Sequence, residues 1–293
     1  MPPIAFDPRR VQRLIDGLAP RRRTRVVDVG ANPVNVSPYD DLLRMGGCEL
    51  WAFEPHPEAY EELRAMQRPH AHYLPYALGS GGTARLHVTE ASGFTSLLAP
   101  AEETFAALGH WRRATRVREV VEVETHRLDD IAELPDFDLL KIDIQGGECE
   151  VFAHGQRVVS GAAAVISEVA MIPIYRDQPL LDEQMRQLRN LGFDLHKLLF
   201  MKSVRMTNRA SRALPRRRFT SQGVDGDAVF VRGLLDLGSL PDEHLKHLAI
   251  LADAVFGSHD LAVYLLGLLH DRGQVEPSVV ADHVAALGVD PTG

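Results

Sequence analysis

Three carboxylates in this chain stand where apolar runs stop, and each is followed by residues that turn the backbone. Asp28 ends Arg25-Val26-Val27-Asp28 and leads into Val29-Gly30-Ala31-Asn32. Glu54 ends Leu50-Trp51-Ala52-Phe53 and precedes Pro55. Asp143 ends Leu139-Leu140-Lys141-Ile142 and precedes Ile144-Gln145-Gly146-Gly147-Glu148. Short apolar runs of this kind read as buried parallel strands, and ligands of such sheets sit at the carboxyl ends of the strands. Gly30 lets the chain turn sharply and lets a ligand approach the backbone. Glu54 lies about two dozen residues beyond Gly30, roughly the spacing at which an acid on the second strand reaches the hydroxyls of a bound ribose. A nucleoside-containing ligand is therefore the first expectation. The full Gly-x-Gly-x-x-Gly pattern is absent, with Asn32 where the second glycine would fall. Two readings stay open: the acids line a nucleotide site, or Asp28 caps the next helix and Glu54 is a solvated strand end. Asp143 likewise either faces a substrate, with Lys141 and Gln145 beside it, or caps a helix or pairs with Lys141.

The elements that must position these residues follow from periodicity. Val11 to Leu18 has helical spacing and is expected to pack against the sheet edge. Pro33 and Pro38 forbid a regular helix directly after the first strand, so that helix is placed from Tyr39-Asp40-Asp41 to Gly46-Gly47. A second helix runs from Pro57 to Met66, and a third strand from His72 to Leu78. Alternation in 83–88 and 117–123 predicts an antiparallel insert, with the loop 92–98 between them free to cross a ligand cleft. Beyond Asp143 come a helix from Glu148 to Gly155, a fifth strand 163–169 carrying Glu168, and a helix from Leu180 to Leu191. Strands at 193–199 and 228–231 and a helical tail complete the series. The strand–helix alternation predicts a doubly wound parallel sheet. The boundaries expected are a helical lead-in over 1–23, a main domain over 24–233 and a helical extension over 234–293.

With 293 residues, 45% of them hydrophobic and 25% charged, the chain has an ordinary globular composition. A net charge of -8 argues against nucleic acid as a partner. The two cysteines, Cys48 and Cys149, are too few for a disulfide framework and lack paired metal-ligand spacing. No metal site and a reducing compartment are expected. The first residues have no apolar signal core, and the apolar stretch 248–269 is interrupted by Asp253, His259 and Asp260. A cytoplasmic protein without membrane insertion is the expectation, and a homodimer stays open. Residues 202–218 are basic and aperiodic; a lid, a contact for an anionic acceptor and a solvated loop are the alternatives there.

Taken together, Val26-Val27-Asp28-Val29-Gly30-Ala31-Asn32, Phe53-Glu54-Pro55 and Leu140 to Glu148 resemble the FkbM family of S-adenosylmethionine-dependent methyltransferases. Thr95-Ser96-Leu97-Leu98, Arg127 to Ile131, Gly192-Phe193 and Asp227 to Val231 follow in the family order, over roughly residues 24 to 232. The resemblance implies the class I methyltransferase (Rossmann-like) sheet of seven strands, the last antiparallel, here with a C-terminal helical extension. It implies S-adenosyl-L-methionine as cofactor and a hydroxyl of a glycan, sugar or polyketide-type small molecule as acceptor. By that likeness Asp28, Gly30, Ala31 and Asn32 surround the methionine portion and Glu54 holds the ribose. Pro55, Tyr76 and Ala77 flank the adenine, and Asp143 faces the methyl group. The chain departs from the family pattern at Val34, where a glycine is usual, and at Gln145, where glutamate is common.

Methyl transfer needs an acceptor oxygen held in line with the methyl carbon, and a base can take the hydroxyl proton. Asp143 is the first candidate for that base because it ends the central strand; Glu148 and Glu168 are further candidates, and His56 ranks after them. Two other classes compete: a non-catalytic relative that binds cofactor or partner, and a nicotinamide-dependent oxidoreductase on a similar sheet. The missing glycines disfavour the latter.

Overall fold

The computed structural model describes residues 4–33, 36–215 and 217–288. Val34, in the loop after the first strand, and Arg216, in the basic segment, lie outside the described residues. In chain order the elements are α1 (Pro8–Leu18), β1 (Thr24–Val29), α2 (Asp40–Arg44), β2 (Cys48–Phe53), α3 (Pro57–Ala65), β3 (Ala71–Leu74), β4 (Ala77–Leu78) and β5 (Gly82–Thr89). Then come α4 (Glu102–Leu108), β6 (Val117–His126), β7 (Leu139–Ile142), α5 (Glu148–His154), α6 (Gln156–Val159), β8 (Ala164–Ala170) and α7 (Leu181–Asn190). The chain closes with β9 (Phe193–Val204), β10 (Gln222–Arg232), α8 (Asp242–Ala254), α9 (His259–Asp271) and α10 (Pro277–Ala286).

Among the described residues the main sheet has seven strands in the order β3-β2-β1-β7-β8-β10-β9. The first five run parallel, and β10 lies antiparallel between β8 and β9. This is the class I methyltransferase sheet. The strand order reverses beside β1, between β2 and β7, so the ends of these strands form the switch-point crevice where open α/β sheets hold ligands.

Both faces are covered, which is why β1, β2 and β7 read as near-continuous apolar runs. One face buries Val26, Leu50, Leu139 and Ile166 against Leu14 of α1, Leu248 of α8 and Leu265 of α9. The other buries Val27, Phe53, Leu140 and Ile142 against Val151 and Phe152 of α5 and Leu188 of α7. The N-terminal helix thus covers a face of the sheet together with the C-terminal helices, and not its edge as its sequence suggested. Its apolar stripe, Val11, Leu14 and Leu18, is wide enough to join the main core.

Two further expectations are corrected. The third strand, at the sheet edge, stops at Leu74, and Pro75, which has no N–H to donate, follows it. Ala77–Leu78 then pair with β6 in a separate sheet of order β4-β6-β5. Residues Lys202–Val204, assigned to an aperiodic loop, continue β9, because Gln222, Gly223 and Asp225 of β10 pair with them.

Candidate functional site

The floor of the crevice is an ion pair across two central strands. Asp28 on β1 and Lys141 on β7 are partners in register. Asp28 Oδ1 lies 3.2 Å from Lys141 Nζ, and Asp28 Oδ2 accepts from the Tyr39 hydroxyl at 2.5 Å. Asp28 is only 1% exposed. Burial works against the Lys141 charge, but Asp28, Asp143 and Asp227 outweigh it and hold the ammonium above the usual lysine pKa. Asp28 therefore does not cap the following helix, whose N-cap is Tyr39 without a side-chain bond. It anchors Tyr39 and Lys141 beneath the loop.

That loop is fixed by backbone contacts. Gly30 and Ala31 both donate their N–H to the Phe53 carbonyl, at 3.1 and 3.0 Å. Gly30 has φ +83°, and a Cβ there would lie 2.1 Å from the Asp143 carbonyl oxygen. The glycine is thus required by the crossing of two loops of the chain itself, a stronger constraint than ligand access. Ala31 is buried, Asn32 and Pro55 are exposed, and Pro33 is half-buried.

Glu54, at the end of β2, is half-buried. Its Oε1 accepts from the His56 N–H at 2.7 Å, and burial pushes its pKa above the usual carboxylate value, the His56 bond only partly offsetting this. His56 serves through its backbone, and its side chain stands exposed.

The residues after β7 close the site. Gln145 Nε2 donates to Asp143 Oδ1 at 2.9 Å and to Glu168 Oε1 at 3.2 Å. Its Oε1 accepts from the Tyr175 hydroxyl at 2.8 Å, and its carbonyl accepts from Ser96 Oγ at 2.7 Å. These contacts hold Gln145 at φ +61°, a left-handed conformation that costs a non-glycine residue on the order of 1 kcal/mol. The amide thus clamps the two carboxyl groups of Asp143 and Glu168 by donating to both, a job a glutamate carboxylate, with no N–H, could not do. Glu168 is held above the usual carboxylate range, first by burial and then by the charges of Asp143 and Glu148. Asp143 also lies 3.9 Å from Lys141 Nζ. It does not cap α5, whose N-cap is Gly147 without a side-chain bond.

Glu148 is set apart from the reacting groups. It is 2% exposed, its Oε1 accepts from the N–H groups of Ile144 and Gly146, and burial raises its pKa to about 7. It shapes the turn that carries Gln145.

Two acids escaped the sequence reading. Asp227 on β10 stands opposite Glu168 on β8, and burial with the Asp143 charge raises its pKa to about 6. Asp225 accepts from Lys202 Nζ at 3.1 Å. The signal was present as two acids in an otherwise apolar strand, Val224-Asp225-Gly226-Asp227-Ala228-Val229. Tyr175 left no such signal, because it reaches Gln145 from a loop 30 residues away.

The insert covers this side of the sheet. Its loop meets the segment after β8 through Arg176 N–H to the Ala99 carbonyl at 2.8 Å and Ala101 N–H to the Ile174 carbonyl at 2.9 Å. The 92–98 loop thereby lies over the Gln145 turn. Tyr76 donates to Glu133 at 3.1 Å and packs on His126, and Ala77 enters β4, so both stand beyond the end of β3. Among the described residues no three His, Cys, Asp or Glu side chains are placed to hold a metal ion. No helix among them is long and apolar enough to cross a membrane.

The family model described as the methyltransferase FkbM domain matches residues 28–195, more than half of the chain. No curated protein matches it in sequence. In structure the chain is similar to magnesium protoporphyrin IX methyltransferase from Synechocystis PCC 6803 with bound SAM, at 12% identity over 77% of this chain and 79% of that one, with a TM-score of 0.37. It is also similar to precorrin-6y C5,15-methyltransferase from Geobacter metallireducens GS-15, at 13% identity over 76% and 87% of the two chains, with a TM-score of 0.38.

Proposed function

The chain belongs to the FkbM methyltransferase family, and from that premise we propose that it transfers a methyl group from S-adenosylmethionine to a hydroxyl of a sugar, glycan or polyketide-type small molecule. The observation that carries this reading is the Asp143–Gln145–Glu168 clamp at the carboxyl end of the central strands, beside the Gly30 loop and Glu54.

The residues fit the cofactor by their chemistry. Glu54 is a half-buried acceptor at the end of the second strand, suited to ribose hydroxyls. Asn32 is exposed on the adjoining loop and is assigned to the methionine portion, with Gly30 and Ala31 supplying backbone surface. Pro55, Tyr76 and Ala77 are assigned to the adenine. Asp28 acts from below, by fixing Tyr39 and Lys141. The acids around Asp143 complement a sulfonium cation. The bound cofactor supplies an electrophilic methyl carbon with a good leaving group attached.

The protein's own part is then positioning and proton handling. Asp143 accepts the hydroxyl proton of the acceptor as its oxygen attacks. Gln145 fixes the Asp143 carboxylate by its 2.9 Å bond, and Lys141 balances its charge. Glu168, whose pKa is pushed above the usual range by burial and by the neighbouring charges of Asp143 and Glu148, is assigned to the acceptor as a second hydrogen-bonding partner. The insert loop and the segment around Tyr175 exclude water. The free thiols Cys48 and Cys149 accord with a cytoplasmic setting.

Incubation with methyl-labelled S-adenosylmethionine and a panel of hydroxylated glycans and small molecules tests this. Label is expected on an acceptor oxygen, and to be lost in Asp143→Asn. Cofactor binding without transfer to any acceptor in the panel would favour the non-catalytic relative.

A further inference from the structure

The hairpin joining β9 to β10 carries more exposed apolar surface than a solvated loop requires. Phe200, Met201 and Met206 are 52%, 50% and 56% exposed, and Leu214 and Phe219 in the connection are exposed as well. Between Asp194 and Asp225 the sequence has no acidic residue, but it has Lys197, Lys202, Arg205, Arg209, Arg212, Arg216, Arg217 and Arg218. Arg209, Arg212, Arg217 and Arg218 are exposed. The Arg218 guanidinium lies 6.0 Å from the Phe219 ring centroid, and Arg205 donates to the Leu214 carbonyl. Cations and large apolar side chains are thus interleaved on one strand and its connection, in a protein whose net charge is -8.

We propose that this hairpin seats the protein on an anionic lipid surface. Exposed aromatic and aliphatic side chains interleaved with arginines along the chain suit the boundary between head groups and acyl chains, where each kind of residue gains. A soluble polyanion would use the arginines alone and leave Phe200, Met201 and Met206 in water. The acidic remainder of the molecule is repelled by the same surface, which orients the hairpin toward it. That orientation also places the site near the lipid. Lys202 pairs with Asp225, and Asp227, two residues on, stands opposite Glu168. The hairpin is tied to the insert as well, through Thr207 N–H to the Leu108 carbonyl at 3.1 Å. The proposal stands apart from the chemistry of methyl transfer and does not require it.

Co-sedimentation of the full chain with vesicles tests it. In low salt the protein should pellet with vesicles of phosphatidylcholine mixed with phosphatidylglycerol. Partitioning should fall about tenfold or more with phosphatidylcholine alone or in high salt. The pair Arg217→Glu and Arg218→Glu should lower it by about tenfold or more. The pair Phe200→Ser and Phe219→Ser should also lower it severalfold, with the melting temperature unchanged because both side chains are exposed. Failure of the wild-type chain to pellet with anionic vesicles in low salt overturns the proposal. So does wild-type partitioning by the serine pair, which would make the patch a site for a soluble polyanion.

Discussion

Asp28 and Lys141 face each other across β1 and β7, carboxylate to ammonium at 3.2 Å, with Asp28 sealed from solvent. The pair converts two polar residues in apolar strands into a fixed floor, and its lysine also neutralises Asp143 above it. Removing one partner strands the other.

Lys141→Met is accordingly expected to destabilise the fold by about 3–5 kcal/mol, the usual cost of leaving a buried charge unpaired. Adding Asp28→Asn to it should recover part of the loss, because the uncompensated carboxylate is then removed. Urea denaturation of the two variants measures this. A single variant within about 1 kcal/mol of wild type would show that water reaches Asp28.

Asp143→Asn separates catalysis from structure. It preserves shape, and its carboxamide oxygen can still accept from Gln145. Turnover should fall about 10²–10⁴-fold, the range typical of losing a general base. The melting temperature should change little, since Asp143 caps no helix. Normal turnover in a stable variant would move the base to another group.

Gln145→Glu tests the clamp. The substitution removes the donor to Asp143 and Glu168 and adds a negative charge between them. Turnover at neutral pH should fall about tenfold or more. It should recover in part as pH is lowered and the cluster takes up a proton. A pH profile parallel to that of wild type would contradict the clamp.

How far the sequence reaches can be seen from these residues. Asp28, Gly30, Glu54 and Asp143 were visible because each ends an apolar run, and period and punctuation survive without tertiary context. The positions of Glu148 and Gln145 were visible too, but their parts were not: Glu148 turns back onto its own loop, and Gln145 acts through partners on β8 and a distant loop. Pro75 was in plain view, yet the apolar residues on either side of it read as one strand. The shared core of α1, α8 and α9 depends on which faces meet, which one sequence does not state.

Asp227 makes the stability of the fold depend on pH. Burial and the Asp143 charge raise its folded pKa to about 6, against about 4 in an unfolded chain. The folded state therefore holds the proton more tightly, and this group's contribution is fully present below pH about 4 and lost as pH rises through about 6. Asp227→Asn should match wild type in stability near pH 4 and exceed it above pH 6. Denaturation at both values checks this. A variant less stable above pH 6 would mean that the Asp227 charge is held by attraction to Lys141.

The most direct measurement is calorimetric titration of the chain with S-adenosylhomocysteine, which needs no knowledge of the acceptor. One site per chain is expected. Glu54→Ala should weaken binding by about 1–3 kcal/mol, as when a buried hydroxyl loses its acceptor. Asp143→Asn should leave it nearly unchanged. Equal affinity for wild type and Glu54→Ala, or no binding at all, would contradict a nucleoside cofactor held between the Gly30 loop and Glu54.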